Sequence, residues 1–236
     1  MQLHVGTSGY SYKEWKGHFY PEDMSDKDFL KYYGTQLTAV EINNTFYRMP
    51  KESVVQGWAD QVPKGFCFSI KASQKITHFK RLKEAGEETE YLMRTVRSIG
   101  DKLGVVLFQL PPNLKKDIDR LGEFLKLLPG DIPAAFEFRH ATWFSNDVYD
   151  LLRSYKCALC CADVDEDLEF PFVSTANWGY LRLRREAYST ADLKSWLKKI
   201  EDQNWKKAFV FFKHEDEGTG PKLAKQFIGL AEKTKK

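Results

Sequence analysis

The sequence predicts an α/β fold, a TIM-like (β/α)8 barrel in which the sixth helix is missing or reduced. Three observations predict it. Eight short apolar stretches recur along the chain, amphipathic patterns alternate with them, and most of the stretches end on a charged or amide residue: Glu41, Lys71, Gln109, Glu137 with Arg139, Asp163, Arg182 and Lys213. A polar group placed once per strand, where a parallel barrel opens to solvent, is how such an enzyme builds its site. The 236 residues come close to the roughly 250 of one barrel, so residues 1–236 are read as one domain.

The expected strands are Leu3 to Thr7, Ala39 to Thr45, Phe66 to Lys71, Val105 to Leu110, Ala134 to Arg139, Cys157 to Asp163, Gly179 to Arg184 and Ala208 to Lys213. Their apolar runs are continuous, as suits parallel strands covered on both faces. Helical spacing appears between them: Leu92, Val96, Ile99 and Leu103; Ile118, Leu121, Leu125 and Leu128; Val148, Leu151, Leu152 and Tyr155; Leu193, Trp196, Leu197 and Ile200; and, closing the chain, Leu223, Phe227 and Leu230. Ser25-Asp26 and Ser189-Thr190 read as helix starts, and Gly104 as the glycine that ends the third helix. From Val164 to Trp178 there is no amphipathic stripe, which is why the sixth helix is expected to be lost or shortened.

Strand alternation sorts the polar residues by face. Glu41 shares a face with Asn43 and Thr45, Ser69 with Lys71, Leu107 with Gln109, Glu137 with Arg139, Cys161 with Asp163, and Tyr180 with Arg182 and Arg184. Phenylalanine, isoleucine and leucine occupy the other parity, so the polar set is assigned to the lumen. Charges taken out of water must pair, because an isolated one costs several kcal/mol. With Glu41, Glu137 and Asp163 set against Lys71, Arg139, Arg182 and Lys213, the set is neutral to slightly cationic, and an anionic ligand would complete it. Salt bridges that merely brace the barrel are the competing explanation.

Composition limits the partners. Net charge is +3 and the pI near 8.5, below the roughly 9 that would by itself suggest nucleic acid. The aromatic fraction of 14% suits either a stacking pocket or plain core. No basic segment followed by an apolar one opens the chain, and no stretch approaches about 18 apolar residues, so a cytoplasmic protein without membrane contact is expected. Cys157-Ala-Leu-Cys160-Cys161 has the gap of a metal or redox motif, but alternation sends Cys160 and Cys161 to opposite faces and no second pair lies at zinc spacing. Buried thiols are the expected reading.

Two loops carry further signals. From Lys71 to Lys83 the chain holds five lysines or arginines, His78 and no carboxylate, with Phe79 available to stack. Such a loop reads equally as a nucleic-acid grip or as a solvated lid. Gly6-Thr-Ser-Gly9-Tyr10 through Trp15 resembles an anion-binding glycine loop only weakly; Tyr10, Tyr12 and Trp15 would instead form a pocket wall. Gly-x-Ser-x-Gly and His-Glu-x-x-His are both missing from the sequence, and no cofactor motif is found. His78, His140 and His214 together with Glu41, Glu137 and Asp163 offer nitrogen and oxygen ligands for a divalent ion, but the cations beside them oppose one, and no metal is assigned.

At these residues the sequence resembles the domain of unknown function 72 family, also called YecE-like. The resembling blocks are Gly6-Thr-Ser-Gly-Tyr10 with Trp15 and Phe19-Tyr-Pro21, Val40 through Tyr47, Phe68-Ser-Ile-Lys71 with Thr77-His78, Leu107 through Pro112, Phe136 through His140 with Trp143, and Tyr180-Leu-Arg182. The resemblance implies a TIM-like barrel of uncharacterised function, similar in architecture to xylose isomerase and endonuclease IV, hence the analogy with nucleic-acid repair. It departs at the end of strand eight, where the family pattern is Phe-Asn-Asn and this chain has Phe212-Lys213-His214.

The leading expectation is an enzyme that performs acid/base chemistry on a phosphate- or carboxylate-bearing small molecule. Glu137 would transfer the proton, with Glu41, Asp163 and His140 as further catalytic candidates. Lys71, Arg139, Arg182, Asn43, Gln109, Lys213, His78, Tyr10 and Trp143 would bind substrate. A metal-dependent phosphoesterase on nucleic acid, with Glu41, Glu137, Asp163, His78 and His140 as ligands, is one alternative. A metabolite-binding protein without catalysis is the other.

Overall fold

In a computed structural model, which describes residues 1–164, 168–213 and 216–233, eight parallel strands close into a barrel in sequence order. They are β1 (Gln2–Ser8), β2 (Ala39–Ile42), β3 (Cys67–Lys71), β4 (Leu103–Gln109), β5 (Ala134–Glu137), β6 (Ala158–Asp163), β7 (Trp178–Leu183) and β8 (Lys207–Phe212). β1 pairs with β2 on one side (Gly6 opposite Ala39) and with β8 on the other (Gly6 opposite Phe211), which closes the ring. Every strand falls within a few residues of its expected place.

Around the barrel lie α1 (Phe29–Gln36), α2 (Glu52–Gln61), α3 (Gly86–Arg97), α4 (Ile118–Leu125), α5 (Asn146–Ser154), α6 (Thr190–Glu201) and α7 (Thr219–Lys233). α6 follows β7, so the barrel lacks a helix between β6 and β7 among the described residues, as the missing stripe predicts. Asp165 to Asp167 of that connection lie outside the described residues. α6 opens on a reciprocal cap: Ser189 Oγ accepts from Asp192 N at 3.1 Å, and Asp192 Oδ2 accepts from Ser189 N at 2.9 Å. Ser25 instead leads into a short turn, Asp26–Asp28, that runs on into α1 without a side-chain cap.

Gly104 is a correction. It does not end α3 but lies inside β4, where a Cβ would meet the Phe209 ring at 2.8 Å and the Phe68 carbonyl at 3.1 Å. The glycine past α3 with positive φ is Gly100, at 68°.

Alternation divides the core in two. Val40, Phe68, Phe108, Phe136, Phe138 and Leu181 face the helices, whereas Ala39, Val105, Leu107, Ala135, Ala158, Cys160, Tyr180, Phe209 and Phe211 fill the lumen. Cys160 and Cys161 take opposite faces as expected, both are buried, and all four thiols are free. Toward the N-terminal end the lumen is plugged by His4, stacked on Phe209 at 4.9 Å, and by Trp178, edge-on to Phe209 at 6.0 Å. Burial and then Lys207 lower His4 to about 4, so it is neutral there. The polar groups collect at the opposite end.

Candidate functional site

The lumen charges form one connected cluster. Glu41 Oε1 accepts from Ser8 Oγ (2.8 Å), Arg182 Nη2 (2.8 Å) and Asn43 Nδ2 (3.1 Å), and its Oε2 accepts from Tyr180 Oη (2.7 Å). With its proton given to Glu41, the Tyr180 hydroxyl receives Ser69 Oγ at 2.6 Å. Glu137 Oε1 accepts from Arg139 Nε (2.7 Å) and Gln109 Nε2 (2.8 Å), while its Oε2 accepts from Arg182 Nη1 (2.5 Å). Arg182 thus bridges two carboxylates on strands far apart in sequence. Glu41 and Glu137 are 0% exposed and Arg182 1%, so water contributes nothing to their solvation and the cluster must satisfy itself.

Burial alone would raise both carboxyl groups. For Glu41 it is outweighed by Arg182, Tyr180 and Ser8, and for Glu137 by Arg182, Arg139 and Arg184, so that both lie below the usual carboxylate range, Glu137 far below. Two negative charges are therefore fixed in the lumen.

Nearer the mouth the balance changes sign. Lys71 ends β3 and Arg184 follows β7 on the same parity as Tyr180 and Arg182. Among the described residues neither side chain makes a hydrogen bond or ion pair; the Lys71 Nζ instead sits 4.2 Å from the centroid of the Phe46 ring. Burial, followed by Arg182, lowers Lys71 to about 8, although Glu41 and Glu137 oppose the shift. The same two causes in the same order lower Arg184. His78 packs edge-on against Phe46 at 4.9 Å, and its Nδ1 lies 2.9 Å from the Thr77 hydroxyl. Its pKa too is lowered, by burial and then by Lys71 and Arg139.

The structure thus brings together Glu41, Asn43, Lys71, His78, Gln109, Glu137, Arg139 and Arg182 of the expected set. Lys213 follows β8 on the lumen parity of Phe209 and Phe211, and its N–H is bonded to the Leu183 carbonyl at 3.3 Å. His214 lies outside the described residues.

Four expected site residues are placed elsewhere. Asp163 is on the helix side of β6, where its Oδ2 accepts from Arg185 Nε, Tyr188 Oη and Trp196 Nε1, each at 2.9 Å. The lumen parity of β6 belongs to Ala158, Cys160 and Ala162, small residues opposite Tyr180 and Arg182, and a carboxylate in step with Cys161 must face outward. Trp143 is fully buried in the outer shell, stacked on Phe138 at 4.6 Å, with Nε1–H donated to the Leu114 carbonyl at 2.7 Å. Tyr10 leans on Tyr33 of α1 at 6.2 Å, in the same shell. His140 caps the short turn Ala141–Trp143, its Nδ1 accepting from Thr142 N at 3.2 Å. Aromatic and polar residues at a strand end fit either face by composition; hydrogen bonds hold Asp163 and His140, and packing in the outer shell holds Trp143 and Tyr10.

The two loops also resolve. In the glycine segment the Gly9 N–H is committed to the Glu41 carbonyl at 2.8 Å, and Trp15 is fully buried, so neither an anion cradle nor a pocket wall from Trp15 forms. After β3 the chain makes a wide helical turn, Lys75–Phe79. Glu88 of α3 then ties down Lys75 (2.8 Å) and Lys80 (2.7 Å), and Leu82 is buried although its φ is +67°. The loop is a built turn that pairs three of its five cations with neighbouring glutamates, Lys83 with Glu84 at 4.0 Å being the third, while Phe79 remains 71% exposed.

Ser8, Ser69, Tyr180 and Arg184 complete the cluster without having been singled out. For three of them the signal is present in the sequence, since Ser69 shares the parity of Lys71 and Tyr180 and Arg184 that of Arg182; Ser8 lies one residue beyond the expected end of β1. Among the described residues no three histidine, cysteine, aspartate or glutamate side chains come together as a metal-binding group; of the five candidate ligands, Asp163 is on the outer face, and Arg182 stands between the carboxylates of Glu41 and Glu137.

A closed parallel barrel with a buried carboxylate and guanidinium cluster under a cationic mouth places this chain among the TIM-like (β/α)8 proteins. More narrowly, it belongs to the family described as Protein of unknown function DUF72, whose model matches residues 4–236. The UPF0759 protein YunF of Bacillus subtilis is 26% identical over 97% of this chain and 94% of its own length. The UPF0759 protein YecE of Escherichia coli is 31% identical over 49% of this chain and 43% of its own. Among solved structures, a DUF72 family protein from Thermotoga maritima superposes with a TM-score of 0.85 at 27% identity, covering 98% of this chain and all of the other. A second, from Enterococcus faecalis, gives 0.82 at 17% identity over 98% and 96% of the two chains. Among the described residues no helix is long and apolar enough to cross a membrane.

Proposed function

We propose that this protein is an enzyme that binds a small phosphate- or carboxylate-bearing substrate at the C-terminal mouth of the barrel and acts on it by proton transfer. One observation carries the reading. The deep charges are all paired, whereas Lys71 and Arg184 above them have no hydrogen-bonding or ionic partner among the described residues. A half-buried arginine without a counter-charge is costly, and an anion supplies what it lacks. Arg139, with its Nε on Glu137, frames the same opening.

The division of labour differs from the expectation that Glu137 moves the proton. Both of its oxygens are occupied by Arg182, Arg139 and Gln109, and these hold it ionised; a carboxylate so stabilised is a weak base and carries no proton to donate. We read Glu137 and Glu41 as positioning residues that fix Arg182 and, through Asn43 and Gln109, the floor of the pocket. Proton transfer passes to Lys71, which burial and Arg182 lower to about 8 and so toward neutrality, with His78 beside it on the Phe46 ring as the second group placed to carry a proton. A small molecule is favoured over a nucleic acid because Lys75 and Lys80, the cations a backbone would need, are held by Glu88.

Titration calorimetry with inorganic phosphate and with pyruvate tests the reading. Binding to the intact protein is expected, and Arg184→Ala should weaken it roughly ten-fold or more, the loss of one charge-assisted hydrogen bond, with the far-ultraviolet dichroism unchanged. Affinity should also fall as pH rises through about 8, where Lys71 gives up its charge. No binding of either anion at millimolar concentration, or an Arg184→Ala variant that binds as well as the parent, would overturn it.

A further inference from the structure

We propose that Lys71 is a covalent nucleophile and that the substrate is an aldehyde or ketone carrying a phosphate or carboxylate group, held through a Schiff base to the Lys71 Nζ. The inference rests on the anion-binding reading above and adds the reacting group. Four features of the site point to it.

The first is what surrounds the amine. Nζ stands over the Phe46 ring, and among the described residues no oxygen accepts from it. The carboxylates close enough to act on its charge, Glu41 and Glu137, have their oxygens taken by Arg182, Arg139, Gln109, Asn43, Ser8 and Tyr180. The second is the presence of Arg182 and Arg184, fixed cations that disfavour a third. A desolvated lysine beside other cations is the usual means of keeping an amine unprotonated and nucleophilic at neutral pH.

The third is rigidity at the strand end. The Lys71 carbonyl accepts from Thr45 Oγ1 at 2.7 Å, and the next residue, Ala72, donates its N–H to the Leu107 carbonyl at 2.8 Å. The backbone that aims the amine is therefore pinned on both sides. The fourth is His78, on the same Phe46 ring as the amine and with Nδ1 engaged by Thr77. It is a group able to pass protons between nitrogen and oxygen. Lys75 and Lys80, a few residues on, show the contrast: each is ion-paired to Glu88, and Lys75 is raised rather than lowered, first by its hydrogen bond to Glu88.

The chemistry balances without an oxidant or reductant. The lone pair of the neutral amine forms a C–N bond to the carbonyl carbon as the C=O π pair moves to oxygen. A proton passes from nitrogen to that oxygen, giving a carbinolamine. A second proton delivered to the oxygen lets it leave as water while the nitrogen pair closes the C=N bond. The resulting iminium draws electrons from the adjacent carbon, where a C–H or C–C bond can then break. At pH 8 half of an amine titrating at about 8 is unprotonated, roughly a hundred-fold more than for an ordinary lysine.

The test is borohydride trapping on the full chain. The protein is incubated separately with pyruvate, glyceraldehyde 3-phosphate and pyridoxal 5′-phosphate, reduced with sodium borohydride, and analysed by intact mass and peptide mapping. One adduct per chain is expected on the peptide containing Lys71 with at least one probe, rising with pH to a plateau above about 8. Inorganic phosphate should suppress it. Lys71→Arg, which keeps a cation but no nucleophilic amine, should abolish the adduct while phosphate still binds, whereas Lys75→Met should leave it unchanged. Label spread over surface lysines, or none at Lys71 with all three probes, overturns the inference. Calorimetry on the same preparation distinguishes the failures: phosphate binding without an adduct defeats only the Schiff base, and no phosphate binding defeats the anion-binding reading as well.

Discussion

Replacing Arg182 by Met should cost about 3 to 5 kcal/mol of stability, the largest effect of any single lumen side chain, read as a fall in the urea midpoint and a melting temperature lower by roughly 10 °C. The magnitude follows from what is left behind. Arg182 is the partner common to Glu41 and Glu137, all three are shut away from water, and removing the cation leaves Glu41 without an ion-pair partner and Glu137 with Arg139 alone. The pH dependence should change sign as well. In the parent both carboxyl groups are depressed below their unfolded value of 4.5, so their contribution is complete above that value and is lost as pH falls below it toward their folded values. In the variant, burial is no longer outweighed at Glu41. Its folded pKa should rise above 4.5, and acidification from neutrality should stabilise the variant relative to the parent. A variant within 1 kcal/mol of the parent, by the same roughly additive reckoning, would mean that the cluster is hydrated and not the dry network described here. Combining Arg182→Met with Glu41→Gln and Glu137→Gln should recover much of the loss, since the stranded charge is then gone.

Gly6→Ala should be comparably damaging through a different cause. A Cβ at Gly6 would lie 1.7 Å from the Ala39 carbonyl oxygen and 2.8 Å from the Tyr33 hydroxyl. The first of these is backbone, so no rotamer change relieves it. Tyr33 holds that carbonyl in place, donating to it at 2.9 Å while accepting from the Thr7 N–H at 2.8 Å. β1 and β2 would have to part at the pair Gly6 and Ala39, in a closed barrel where every strand's position depends on its neighbours. A loss of about 3 kcal/mol or more is expected, the upper end of overpacking costs. Gly57→Ala is the control of opposite sign. Nothing lies within 4 Å of a Cβ there, and Gly57 is inside α2, where alanine should gain about 0.5 to 1 kcal/mol. Chemical denaturation of the two variants beside the parent checks both signs, and a Gly6→Ala protein as stable as the parent would show that the strands have slack at this point.

Much of the site could be read from residue order. A polar residue two positions from another on a short apolar strand shares its face, and that rule placed Glu41, Lys71, Gln109, Glu137, Arg139 and Arg182 correctly. It failed at β6 because the rule says which residues are together, not which face is inside. Asp163 and Cys161 do share a face, and that face packs against Tyr188 and Trp196. Trp143 and His140 lie beside a strand end, where the chain has left the alternation and parity has no meaning.

What the sequence determined by itself is the order of strands and helices, the gap in helix between β6 and β7 among the described residues, and the gathering of charge at one end of a barrel, because hydrophobic periodicity and strand alternation are local properties of the chain. Only the tertiary structure decided how that charge is shared. Arg182 reaches Glu41 across 141 residues and Glu137 across 45, distances in sequence over which no pattern reports. Once those partners are assigned, both oxygens of Glu137 have donors, whereas Lys71 has no acceptor among the described residues. Pairing depends on three-dimensional proximity in a dry lumen, and that is settled when the barrel closes.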